Sequence, residues 1–123
     1  MITIEDCLFE AMSIPGALGA ILVDHASETA VATRGMSDPE RSASGLSEAF
    51  RAIQTGLALS SPTGTVRIDD VIVTTDQGYQ LIRPMDTPFD GPLLICVQLD
   101  LNRANLGLAR HRLQSISRQL IAS

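Results

Sequence analysis

Two stretches decide the fold: Ala17-Leu-Gly-Ala-Ile-Leu-Val23 and Leu93-Leu-Ile-Cys-Val-Gln-Leu99. Both are short apolar runs, and turn residues bound the first. That length and setting predict strands, not helices. Successive side chains of a strand point to opposite sides. A strand apolar at both parities must therefore be covered on both faces. These two runs are predicted to lie at the centre of one sheet, with helices above and below it.

The flanking sequence supplies the other elements. Thr3 with Asp6 resembles a capping box, with Asp in place of the usual Glu. Ile4, Cys7, Leu8, Ala11 and Met12 then follow a helical stripe, which Pro15-Gly16 ends. Thr29 to Thr33 is β-branched and alternating, the return strand of a hairpin after the polar turn Asp24–Glu28. Ser37 or Asp38 can cap a second helix, with Pro39 at its first position. Leu46, Ala49, Phe50, Ile53 and Leu57 make its expected apolar face, and Ser60–Gly64 stops it. Val66 to Thr75 reads as a strand whose alternation slips at Asp69-Asp70, where a bulge is expected. Asp76-Gln77-Gly78 is a hairpin turn, and Tyr79 to Met85 a strand. Asp86 to Pro92 reads as a loop. Asp100 or Asn102 is expected to cap a last helix with the seam Leu106, Ala109, Leu113, Ile116, Leu120. Gly107 inside that helix costs about 1 kcal/mol relative to Ala, and close approach to the sheet is its simplest explanation.

The order is helix, two strands, helix, three strands, helix. Short hairpin connections favour a mostly antiparallel sheet. The fold class is α/β: a three-layer α/β/α sandwich of five strands and three helices. The length of 123 residues fits a single domain over 1–123.

Composition narrows the partners. Only Phe9, Phe50, Tyr79 and Phe89 are aromatic, so the core is aliphatic and little is available to stack nucleobases. The net charge of −5 opposes nucleic acid and anionic membranes. It is uneven: Leu101–Ser123 holds Arg103, Arg110, Arg112 and Arg118 and no acid. All nine basic residues are Arg, a bias that genome composition explains better than nine functional guanidinium groups. Cys7 and Cys96 sit in apolar patterns and read as buried free thiols. No run reaches the roughly 20 apolar residues of a membrane span, and acids stand where a signal peptide carries Lys or Arg. A cytoplasmic protein is expected.

The residues offer little chemistry. Without lysine, a nucleotide-hydrolysing phosphate loop is excluded. Pro15–Gly19 enters a strand and not a helix, so it is a turn. His25 and His111 belong to no metal-ligand spacing and are expected to be exposed. The Asp69 and Asp70 carboxylates diverge from adjacent strand positions, and edge-strand charge that blocks aggregation explains them better than an acid–base dyad. No Ser or Cys stands in a known nucleophile motif. No catalytic residue, metal or cofactor is expected, and the chain is not expected to be an enzyme.

Three stretches resemble the roadblock/dynein-light-chain family, closest to its bacterial, small-GTPase-associated members. Ile14-Pro-Gly-Ala-Leu-Gly-Ala-Ile-Leu-Val-Asp24 looks like the family's opening PGV-x-GA-x-LVD strand and turn, although His25–Glu28 replaces the usual Asp-Gly. Asp70-Val-Ile-Val-Thr-Thr-Asp-Gln-Gly-Tyr79 is similar to its IIVE-x-x-x-GY hairpin. Asn105-Leu-Gly-Leu-Ala-Arg110 looks like the start of its last helix and is the most distinctive.

The resemblance covers nearly the whole chain. It implies strand order 2-1-5-4-3 and a homodimer formed by the third strand and second helix, here Val66–Thr75, with Val66, Ile68, Val71 and Val73 at the edge, and Asp38–Leu59. It implies a small Ras-like GTPase as partner, scaffolded or stimulated to hydrolyse GTP. Ser44, Glu48, Arg51, Gln54 and Thr55, off the apolar stripe of the second helix, are the expected partner-facing residues. Arg41 or Arg51 could serve as an arginine finger only if it projected flexibly, and both sit on the helix. The alternatives are a small-molecule sensor using a pocket between sheet and helix, or a structural subunit of a larger complex.

Overall fold

The structure is a computed structural model that describes residues 2–87 and 91–121. The elements are α1 (Ile4–Met12), β1 (Ala17–Asp24), β2 (Thr29–Arg34), α2 (Pro39–Ser60), β3 (Val71–Thr75), β4 (Gly78–Thr87), β5 (Gly91–Leu99) and α3 (Leu106–Ile121). The strands form one antiparallel sheet in the order β2-β1-β5-β4-β3. The expected architecture and order are both found.

The two-sided strands behave as their composition requires. Ala20 and Leu22 of β1 join Ile95, Val97 and Leu99 of β5 in a core beneath α1 and α3. Ile21 and Val23 join Leu94 and Cys96 in a second core with Ala43 and Phe50 of α2. Ile21 and Ile95, on opposite faces, are both fully buried. β1 and β5 lie between other strands and carry buried residues on both faces, which accounts for their lack of a polar face.

Caps fix the helix starts. The Thr3 hydroxyl accepts from the Asp6 amide at 3.0 Å and the Asp6 carboxylate accepts from the Thr3 amide at 3.4 Å, closing the box that begins α1. Asp38 caps α2 by accepting from the Arg41 amide at 3.3 Å. For α3 the cap is Asn105, whose side-chain oxygen accepts from the Leu108 amide at 3.0 Å. Neither Asp100 nor Asn102, the two expected caps, starts that helix: Asp100 accepts from the Asn102 amide at 2.8 Å and makes a local turn. A Cβ on Gly107 would meet only the Asn105 side chain, at 3.6 Å, so close approach to the sheet does not explain this glycine. It lies in the helix's exposed first turn.

Gly16 and Gly78 stand where a side chain does not fit. Gly16 turns the chain into β1 at φ +88°, and a Cβ there would press on the Ala104 backbone at 3.1 Å. Gly78 closes the β3–β4 hairpin at φ +133°, where a Cβ would run into the Leu99 carbonyl.

Three boundaries differ from expectation. β3 begins at Val71, so Val66 and Ile68 precede the strand, and no bulge forms at Asp69-Asp70. β4 and β5 extend to Thr87 and from Gly91, shortening the expected loop; its centre, 88–90, lies outside the described residues, as does Phe89. The buried stripe of α2 is Ala43, Ser47 and Phe50, with Leu46 and Ile53 half-buried, while Ala49 and Leu57 are exposed.

Pro84 explains the late start of β3. The β3–β4 register runs from Thr75↔Gly78 to Val71↔Ile82, and its continuation would set Asp69 opposite Pro84. The β4–β5 ladder continues through Pro84↔Leu94. A proline inside such a ladder turns its nitrogen away from the paired strand. That nitrogen therefore faces the place where β3 would continue, and offers no N–H to it.

Candidate functional site

The sheet ends in two different edges. In β2, Leu22 pairs with Ala32 and Val23 with Ala30, which leaves Val31 as the extra residue of a bulge. The bulge turns Ala32 toward one core and Ala30 toward the other. It bends the edge and interrupts its hydrogen-bonding pattern. β3 has no such device. Its register with β4 is unbroken over all five residues, Val71-Ile-Val-Thr-Thr75. The two-residue turn at Asp76-Gln77 makes Thr75↔Gly78 a hydrogen-bonded pair, so the Ile72 and Thr74 amides point outward. Ile72 is 39% exposed and Val73 37%, one on each face of the sheet.

An ion-pair clasp holds the entrance to β3. Asp70 stands opposite Arg83 in the continued register, and their side chains meet at 3.6 Å. Arg110 of α3 donates to the same Asp70 oxygen at 2.6 Å. This bond holds the Arg110 guanidinium above its ordinary pKa. Asp70 is therefore largely buried under two arginines, and its role is to tie the strand start to β4 and α3. The expectation that it serves as free edge charge is corrected. Ile68 packs half-buried against the α2-side core and Val66 is exposed.

The five residues expected on the partner-facing side of α2, Ser44, Glu48, Arg51, Gln54 and Thr55, are all exposed. Arg51 pairs with Glu28 of the β1–β2 turn at 3.7 Å and with Glu48 at 3.4 Å. Sequence reasoning did not separate a second outward stripe on this helix: Gly45, Ala49, Ala52, Gly56 and Leu59, all exposed and small until Leu59. Its spacing of three and four residues was available in the sequence, but the assignment of Ala49 to the core hid it.

His25 is half-buried, in contrast to the expected exposure. Its ring meets Phe50 edge-on at 5.6 Å, and its Nδ1 is buried without a hydrogen-bond partner. Burial, with help from the Arg51 charge, lowers its pKa below 6.5 against the opposing pull of Glu28 and Asp24. His111 is exposed. Cys7 and Cys96 are buried free thiols, pushed up by burial to about 11 and about 12. Among the described residues, no three His, Cys, Asp or Glu side chains are grouped to hold a metal ion, and no helix is long and apolar enough to cross a membrane.

No protein-family model and no curated protein matches the sequence. Solved structures do match the fold. MglB of Myxococcus xanthus superposes with a TM-score of 0.73 at 19% identity, over 95% of this chain and 87% of that one. An MglB described in a tetrameric arrangement gives 0.66 at 17%, over 94% and 88%. A Roadblock/LC7 domain from Streptomyces avermitilis gives 0.68 at 12%, over 97% and 95%. With these superpositions over nearly the whole chain and the strand order that the resemblance implies, the chain has the roadblock fold.

Proposed function

We propose that this chain is a non-catalytic, cytoplasmic adaptor or regulator, one domain over 1–123, that pairs with a second copy and binds a small Ras-like GTPase. The GTPase half rests on the resemblance of the three motifs and on the shared fold. The observation that carries the pairing is the asymmetry of the edges. β2 is bulged, whereas β3 is regular, β-branched and exposed. An unprotected edge of this kind invites pairing, and a two-fold partner covers it with one self-complementary patch. The edge then comprises Val71 and Val73 with Ile72, while Val66 and Ile68 lie beside it.

The exposed residues of α2, Ser44, Glu48, Arg51, Gln54 and Thr55, form the GTPase-facing surface in this proposal. Arg51 is engaged by two glutamates, which favours a scaffolding or conformational role over donation of an arginine to the transferred phosphate. The chemistry belongs to the GTPase.

Co-purification with a Ras-like GTPase of the same organism, in GDP and GTP-analogue states, tests the proposal. Binding in at least one state, weakened by Glu48→Ala with Thr55→Ala, is expected. Absence of binding in both states refutes it.

A further inference from the structure

Nine arginines carry all of the basic side-chain charge other than histidine. Six are occupied. Arg34 pairs with Glu5, Arg51 with Glu28 and Glu48, Arg83 and Arg110 with Asp70, and Arg103 with Asp100. Arg112 donates to the Ser13 carbonyl and hydroxyl. Among the described residues, the side chains of Arg41, Arg67 and Arg118 make no ion pair or hydrogen bond. Two of these three, Arg67 and Arg118, line one cleft together with Arg83.

The cleft measures about 530 Å³, within the range of small-molecule sites, about 300–1,000 Å³. It opens where β3 would have continued along β4 had Pro84 not stopped it. Phe50, Ile68, Met85 and Leu94 give it apolar walls, and Asp69 is the one acid among its described lining residues. Three guanidinium groups against one carboxylate is the reverse of the chain's net charge of −5. An extended peptide cannot complete a ladder here, because Pro84 presents no N–H to that edge.

We propose that this cleft binds a small phosphate or carboxylate anion carrying an apolar body. Arg67 and Arg118 hold the anionic head through charge-assisted hydrogen bonds. The apolar body lies against Phe50, Ile68 and Met85, and Arg83, held by Asp70, contributes field without moving. Of the residues proposed to face the GTPase, Gln54 alone lines this cleft, and the titration needs no GTPase.

The test is titration of phenyl phosphate into the isotope-labelled protein, followed by amide chemical shifts, with phenol and inorganic phosphate in parallel. Saturable shifts confined to the cleft, at Gln54, Ile68 and Arg118, are expected. Phenol and phosphate each bind more weakly. Arg67→Ala with Arg118→Ala weakens phenyl phosphate by about tenfold or more, and Arg41→Ala leaves it unchanged. Both cleft arginines are exposed, and an otherwise unaltered spectrum verifies that the variant is folded. Shifts that do not saturate, a double variant that binds as well as the parent, or an equal loss in Arg41→Ala would overturn the proposal. Inorganic phosphate binding as tightly as phenyl phosphate would overturn the apolar half of it.

Discussion

A single lysine at the middle of β3 should separate the paired copies. Val73 is the central residue of Val71–Thr75, so in a two-fold antiparallel pairing centred on it, each Val73 faces its own copy. Val73→Lys sets two ammonium groups opposite each other. At about 5 Å two unit charges repel by about 1 kcal/mol at the permittivity of water and about 3 kcal/mol at an effective value of 20. The two valines, each 37% exposed in the single chain, forgo together about 1 kcal/mol of further burial. The total, about 2–4 kcal/mol, raises the dissociation constant by roughly 30- to 1,000-fold. Sedimentation velocity over a concentration series reads this directly. The control is Val31→Lys, at a comparably exposed valine on the bulged edge, and it should leave the association unchanged. An unaltered Val73→Lys dimer would refute the edge assignment. So would dissociation caused by Val31→Lys alone.

Three further outcomes are expected. Ile21→Ala and Ile95→Ala, on opposite faces of the sheet, should each cost about 2–5 kcal/mol in urea unfolding, and a loss below about 1 kcal/mol for either would mean that its face is not a packed core. His25 has a folded pKa below 6.5, so the unfolded chain binds its proton first as pH falls; its contribution is complete above 6.5 and is lost as pH drops toward the folded value. His25→Gln should flatten that segment of the stability profile, and an unchanged slope would contradict the assignment. Cys7 and Cys96, buried and with raised pKa values, should react with a thiol-specific disulfide reagent only at the rate of unfolding.

Much of the fold could be read from local patterns because its decisive constraints are local. The Thr3–Asp6 box, Asp38 before Pro39, and the two-sided runs at Ala17 and Leu93 each announce an element within a few residues. What escaped depended on distant partners. Val66 and Ile68 carry strand propensity, but Pro84, in another strand, removes the donor their ladder needs. Asp70 looked like one of two diverging edge charges, because its pairing with Arg83 and Arg110 emerges only once the β3–β4 register and the position of α3 are known. The α2 stripe was misjudged because Ser47 counted as polar although it is fully buried, while Ala49 counted as core although it faces solvent. At the candidate site, the apolar character of β3 was legible. The bulge that distinguishes the other edge was not, since Thr29–Thr33 alternates smoothly and only its register with β1 isolates Val31.

Amide hydrogen exchange at Ile72 and Thr74 tests the central claim, that a second copy closes the open edge of the sheet. Their N–H groups point away from β4 and have no partner among the described residues. Protection that rises with protein concentration, in step with dimer formation, is the predicted result. Fast exchange at both amides in a solution that is wholly dimeric would place the interface elsewhere and contradict the account.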